Sequence, residues 1–426
     1  MRSLFMFAYL FEYGRYLNVL GIGVVVALSY LFSLNRRAFS WKPVIGGFGL
    51  LFATAWFLLH TRMGSLVTAL VTRAVDQLYS AADAGIAFMF GALGVAESHW
   101  GFVFAIKVLP VIVFFGALMA VLFHLRIIQG LVWIFARLLG PVLGTSGAET
   151  LCAVGNGILG QTEAPLLIRN YLESLTRSEF LLVMISGMGT LSGSIIAVYA
   201  HLGIPIQHLL AASVMAIPAS IIVSKIMLPE TEQPQTAPGT EVSMPSRSSN
   251  LLEAISLGTV DGLNLALNIG AILISFVALI GLLNSVLGWA SFEMQRLVHF
   301  MGDGWQVPML SLEYLSGFIF KPFAWLLGLT GVDLVKGAEL LGVRTVVNEM
   351  IAYTSMLQAG LSERAVALLT YALAGFANLS SIGIQIGGIG ALAPSRRALL
   401  SSFGVRAVAG GVLTNLLIAF VAGLFI

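Results

Sequence analysis

The sequence predicts an all-α integral membrane protein: eight transmembrane helices plus two re-entrant helical hairpins in an inverted repeat, with interfacial amphipathic helices. Three observations lead there. Hydrophobic residues fill 58% of the 426 positions and charged residues only 10%, where soluble domains carry about 25% charged residues. Long stretches carry no Asp, Glu, Lys or Arg at all. Two further stretches, too polar to face lipid, follow one residue plan in the two halves of the chain.

A spanning helix needs about 20 mostly apolar residues. Charge-free stretches of suitable length lie at 17–34, 43–60, 108–125, 180–224, 262–292, 365–395 and 407–426. The stretch 180–224 is long enough for two spans, and His201-Leu202-Gly203-Ile204-Pro205 is the natural break between them. That makes eight. Such runs do not alternate as barrel strands do, and a helix satisfies its backbone polar groups internally. Arg36, Arg37 and Lys42 lie between the first two spans, and Arg396 and Arg397 precede the last. Basic loops stay in the cytoplasm, which places both termini outside. Residues 1–11 are apolar without a small-residue cleavage site and read as retained chain. The polar segment 229–250, rich in Pro, Ser, Thr and Glu, reads as a flexible cytoplasmic linker.

Between the spans, 65–98 mixes Arg73, Asp76 and Asp83 with apolar residues and reads as an amphipathic helix on the outer surface. Segment 128–139 reads the same way on the inner side. Segment 147–174 carries Glu149, Asn156, Gln161, Glu163 and Arg169; 335–361 carries Lys336, Glu339, Arg344, Asn348, Glu349 and Gln358. Gly155-Asn156-Gly157 with Gly160 is the expected break of the first, and Gly342 that of the second. Irregular backbone at membrane depth is tolerated only inside protein or beside a water-filled cavity, so both read as re-entrant hairpins. Glu163 is followed by Ser178-Glu179 and an apolar span interrupted at Thr190, Ser192 and Ser194. Glu349 is followed by Ser362-Glu363 and an apolar span interrupted at Asn378, Ser380 and Ser381. By the span count the first hairpin enters from inside and the second from outside. Inverted repeats with interrupted helices are a recurrent build of secondary transporters, with the site at mid-membrane.

An acid at membrane depth costs roughly 2.5–3.5 kcal/mol on insertion scales. Glu163 and Glu349 therefore either pair with Arg169 and Arg344 or face a cavity and its solute. Gln161 and Thr162 either cap broken helix ends or meet a ligand; an amide, with donors and an acceptor, matches a nucleobase edge. Asn378 and Ser381 share a helical face and serve either a site or a bond between helices. The glycine-rich run 383–390 lacks the Lys and strand context of a phosphate loop and fits close helix packing. The six histidines have no zinc-site spacing, the single Cys152 excludes an intramolecular disulfide, and the net charge of +2 is too small to suggest nucleic acid. No G-x-S-x-G or H-E-x-x-H occurs, which counts against the alternative of a membrane-embedded enzyme.

Gly160-Gln161-Thr162-Glu163-Ala164-Pro165-Leu166, Asn348-Glu349-Met350-Ile351-Ala352-Tyr353 and Gly375-Phe376-Ala377-Asn378-Leu379-Ser380-Ser381-Ile382-Gly383 resemble the hairpin and broken-helix motifs of the concentrative nucleoside transporters. Gly144-Thr145-Ser146-Gly147-Ala148-Glu149 and Gly390-Ala391-Leu392-Ala393-Pro394-Ser395-Arg396-Arg397 fit as well. The resemblance runs from about Phe102 to the C-terminus. It implies a homotrimeric importer of nucleosides such as uridine, multi-pass in the bacterial inner membrane, working by an elevator movement. It divides the chain into scaffold helices (1–125), a first transport repeat (126–229), the linker (230–250), further scaffold (251–332) and a second transport repeat (333–426). By the same resemblance Gln161, Thr162 and Glu163 face the base, and Ile195 packs on it. Glu349, Asn378 and Ser381 bind the ribose, and Phe376 lines the pocket. The family's sodium positions fall on Asn156 and Thr190 side chains and Leu159 and Leu191 carbonyls. Proton-coupled relatives leave the coupling ion open, and a nucleobase carrier is the alternative within transport.

Overall fold

The computed structural model describes residues 9, 12–94, 103–236, 248–300 and 306–426. Among them all regular structure is helical. The first half contains α1 (Arg15–Leu31), α2 (Trp41–His60), α3 (Arg62–Phe90), α4 (Leu109–His124), α5 (Ile127–Leu143), α6 (Gly147–Asn156), α7 (Ala164–Leu167), α8 (Arg177–Gly189), α9 (Gly193–His201) and α10 (Ile206–Met227). The second contains α11 (Leu251–Phe300), α12 (Leu312–Leu326), α13 (Gly331–Val346), α14 (Glu349–Gln358), α15 (Glu363–Leu373), α16 (Leu379–Leu392) and α17 (Arg397–Gly423).

Among the described residues, seven helical runs are long and apolar enough to cross a membrane. Burial sorts them. The runs Arg177–His201 and Ile206–Met227 are 94% and 89% buried, whereas Trp41–His60 and Phe104–His124 are 28% buried and Val277–Phe300 only 6%. The first two build the core; the others turn apolar side chains outward, as a lipid-facing helix must. The expected span 365–395 is two helices, α15 and α16, parted at 374–378. The expected surface segments 65–98 and 128–139 fall on α3 and α5, with 95–98 outside the described residues.

The hairpins differ from expectation in one respect. The first runs along α6 and breaks after Asn156, where the sequence places its break. The second does not break at Gly342, which lies inside the continuous helix α13. A Cβ there would lie 2.2 Å from Ser316 Oγ of α12: the glycine lets two helices touch and does not bend one. Gly342→Val should destabilise the protein by about 1–3 kcal/mol through overpacking, visible as a lower melting temperature in detergent. The break falls instead at Val347-Asn348, where the Asn348 side chain accepts from Ile351 N at 2.9 Å and starts α14.

Caps sharpen the repeat. The helix after hairpin 1 starts at Thr176, not at Ser178-Glu179; Thr176 and Glu179 form a capping box. The spacing that separates Glu163 from Glu349 also separates Thr176 from Ser362 and Ser192 from Asn378, and all four of these latter residues are N-caps. One register therefore relates the two copies.

The segment expected as a loose linker begins as a clasp. Thr176 Oγ1 donates to Glu230 at 2.7 Å, Ala148 N donates to Thr236 Oγ1 at 3.0 Å, and Ser178 Oγ donates to Leu228 O at 2.7 Å. These residues serve the starts of α6 and α8, whose first amides have no intrahelical partner. Lys225 lies 2.6 Å from Glu149 in the same cluster. Residues 237–247 lie outside the described residues.

Candidate functional site

Both helical breaks leave polar backbone at the centre of the core. Asn415 of α17 resolves this. Its Nδ2 donates to Gly189 O, the end of α8, and to Ala374 O, the end of α15, each at 2.8 Å. Its Oδ1 accepts from Arg344 of α13. One fully buried amide thus ties the two broken helices to the second hairpin.

Around this knot the expected substrate residues divide into two groups. Glu349, at the start of α14, accepts from Tyr199 OH of α9 at 2.9 Å and from Asn378 Nδ2 at 3.1 Å. Asn378 caps α16, its Oδ1 accepting from Ser381 N at 3.0 Å and from the Ser380 and Ser381 hydroxyls at 2.7 and 3.1 Å. Ser381 Oγ in turn accepts from Gln161 Nε2 at 3.4 Å, across from the tip of hairpin 1. Glu349, Asn378, Ser381 and Gln161 therefore form one buried chain of hydrogen bonds linking the two hairpins. Arg344 does not form the ion pair with Glu349 that was one option; it donates to Asn415, and its positive charge reaches Glu349 through space.

The second group is less uniformly buried. Thr162 is exposed, with its methyl beside Gly388 of α16. Glu163 is half-buried and N-caps α7, and Phe376 is half-buried at the α15–α16 break. Ile195 is buried on the first turn of α9, where its amide donates to Ser192 Oγ at 3.4 Å. Gly160 adopts φ +118, and a Cβ there would lie 2.9 Å from Ser192 Cβ. A glycine is needed on both counts for hairpin 1 to reach the break of the following span.

The expected cation positions also gather. Asn156, Leu159, Thr190 and Leu191 are all buried. Ser186 of α8 joins Asn156 to Thr190: it accepts from Asn156 Nδ2 at 2.8 Å, and its carbonyl accepts from Thr190 Oγ1 at 2.8 Å. Asn156 Oδ1 has no hydrogen-bond partner although it is fully buried. A buried acceptor left without a donor costs about 1–3 kcal/mol, and a hard cation satisfies such an oxygen.

Four contributors were missed from the sequence: Tyr199, Ser186, Gln385 and Asn415. Helical spacing could have found three. Ser186 is one turn before Thr190, Gln385 one turn after Ser381, and Tyr199 one turn after Ile195. Nothing local marks Asn415, whose partners come from both halves of the chain.

Comparison with known proteins agrees with this architecture. Residues 208–423 match the C-terminal family model of Na+ dependent nucleoside transporters, residues 20–93 the N-terminal one, and residues 105–205 a nucleoside recognition (Gate) model. An uncharacterized transporter of Haemophilus influenzae is 39% identical, covering 96% of this chain and 97% of the relative. Human solute carrier family 28 member 3 is 35% identical over 95% of this chain, which spans 59% of that longer protein. Rat sodium/nucleoside cotransporter 1 is 37% identical over 95% of this chain and 63% of that protein. Among solved structures, CNTnw in an inward-facing substrate-bound state superimposes with a TM-score of 0.87 at 34% identity, covering 96% of this chain and 97% of that one. These are membrane transporters and not enzymes, and the all-helical fold with multiple apolar spans is theirs. The chain belongs to the concentrative, Na+ dependent nucleoside transporter family.

Proposed function

We propose that this protein imports nucleosides such as uridine by sodium symport across a bacterial inner membrane, as a homotrimer working by an elevator movement. The observation that carries the reading is the Glu349 carboxylate, buried at the meeting of hairpin 2 and the α15–α16 break and oriented by Tyr199 and Asn378. Ribose hydroxyls donate to a carboxylate and accept from an amide. Glu349, Asn378 and Ser381 take the ribose in this reading. Gln161, Thr162 and Glu163 take the base, Ile195 packs on it, and Phe376 lines the pocket. The relative CNTnw, solved in inward-facing, outward-facing and intermediate states, supports alternating access. The two transport repeats, α5 through α10 and α13 through α17, are the moving unit, and the outward-turned helices α1–α4, α11 and α12 are the scaffold that joins the copies.

Sodium is the coupling ion in this proposal, held by the Asn156 and Thr190 side chains with the Leu159 and Leu191 carbonyls. The unpartnered Asn156 Oδ1 supports it. The ion holds both breaks in the shape the nucleoside needs, so ion and nucleoside reinforce each other's binding reciprocally. The test is uptake of radiolabelled uridine into proteoliposomes under a sodium gradient, and under a pH gradient in sodium-free buffer. Uptake is expected only with sodium; equal uptake under the pH gradient assigns protons instead. Asn156→Ala should shift the sodium dependence to higher concentration while the folded oligomer persists. If it merely unfolds the protein, the residue caps a helix and nothing more.

A further inference from the structure

Gln385 lies in the glycine-rich part of α16 and is fully buried. Its Nε2 donates to Met184 O at 3.0 Å and to Gln161 Oε1 at 3.2 Å. These two bonds fix more than position. A main-chain carbonyl only accepts, so the Gln385 atom facing Met184 O is its nitrogen. The second hydrogen of that nitrogen points at Gln161, so the Gln161 atom facing it is the oxygen. The Gln161 amide therefore has one orientation: its oxygen is spent on Gln385, and its nitrogen turns toward Ser381 Oγ and the site. Gly187 of α8 makes room for the pair, since a Cβ there would lie 2.9 Å from Gln161 Cβ and 3.0 Å from Gln385 Nε2. Meanwhile Gln385 Oε1 stays buried with no partner. The reverse orientation of Gln385 would set that oxygen against Met184 O.

The repeat supplies an independent argument. Gln385 stands at the same distance beyond the Asn378 cap as Tyr199 stands beyond the Ser192 cap. Tyr199 reaches from α9 to hairpin 2 and donates to Glu349; Gln385 reaches from α16 to hairpin 1 and donates to Gln161. In each copy the second half of the broken helix holds the polar residue at the tip of the other copy's hairpin.

We propose that Gln385 is a positioning residue that locks Gln161 so that it meets the nucleobase only as a donor, giving a preference for bases with a carbonyl over bases with an amino group at the exocyclic position. The inference rests on Gln161 facing the base. Uridine and cytidine are the discriminating pair, because the 4-position is an acceptor in one and a donor in the other. A site built for one hydrogen-bond pattern rejects the opposite one, since groups are then left unpaired.

The experiment measures competition by unlabelled uridine and cytidine in proteoliposomes containing wild type, Gln385→Glu or Gln385→Leu. Wild type should favour uridine by about tenfold, the factor that about 1.4 kcal/mol represents. Gln385→Glu presents acceptors to Gln161 whether it is charged or its proton is spent on Met184 O. Gln161 must then turn its nitrogen inward and its oxygen toward the base, and the preference should invert toward cytidine. Gln385→Leu releases the amide to rotate, and the ratio should fall to within about twofold of unity. The ratio within each variant is independent of how much protein folds. If both nucleosides weaken together in both variants and the ratio keeps its wild-type value, Gln385 only packs and the proposal is overturned. Failure of wild type to take up any nucleoside would instead sink the reading of function beneath it.

Discussion

Glu349→Gln is expected to weaken uridine binding at least tenfold, with little loss of folded protein. The carboxylate accepts from Tyr199 on one oxygen and from Asn378 on the other. An amide of the same shape has one acceptor. Its nitrogen must face either the Tyr199 hydroxyl or the Asn378 amide nitrogen. Facing Asn378, it opposes donor to donor and disturbs the residue that caps α16. Facing Tyr199, it makes the hydroxyl turn round and accept. Either way the site loses the charged acceptor that a ribose hydroxyl would use, and the Arg344 charge loses its counterweight. An unsatisfied buried group costs about 1–3 kcal/mol, more when charge is involved, and about 1.4 kcal/mol is already a factor of ten. Titration calorimetry in detergent reads this directly; affinity near the wild-type value would remove Glu349 from the ribose site.

Asn415→Leu should have the largest effect on stability of any single change in the core. It strips Gly189 O and Ala374 O of their donor and Arg344 of its acceptor in one step. Two unsatisfied carbonyls at about 1–3 kcal/mol each, together with a buried guanidinium left without its acceptor at a still higher cost, are comparable with the whole stability of many proteins. Loss of monodisperse protein on size exclusion is the expected outcome. Asn415→Asp keeps the acceptor for Arg344 and loses the two donations, so it should fall between Leu and wild type in melting temperature. A Leu variant as stable as wild type would mean that water serves both carbonyls instead.

The sequence made the fold legible wherever a residue works through its neighbours in the chain. Charge-free runs show the spans because lipid tolerates no alternative. Ser192 and Asn378 show the breaks because a cap is a local device. Gly342 misled because glycine has two uses: it frees the backbone in a turn, and it admits a close neighbour in a helix. Only the position of Ser316 decides between them. Thr176 was passed over for Ser178 for a related reason, since a helix start is fixed by which hydroxyl meets the third amide. The residues proposed to meet the substrate carry a motif that can be read locally. The residues that orient them, Gln385 on Gln161 and Tyr199 on Glu349, are 224 and 150 positions from their partners, and no local pattern joins such pairs.

The Asn415 amide also sets a timetable for biogenesis. Gly189 leaves the ribosome 226 residues before the side chain that will satisfy its carbonyl. At about 5–20 residues per second, the nascent chain holds an open helix end for roughly 10–45 s. The wait affects α1 as well, because its Gly21 packs so closely on the Phe420 ring that a Cβ would lie 2.6 Å away. α1 is thus shaped to receive α17. Arrival of α17 is the event that closes both breaks.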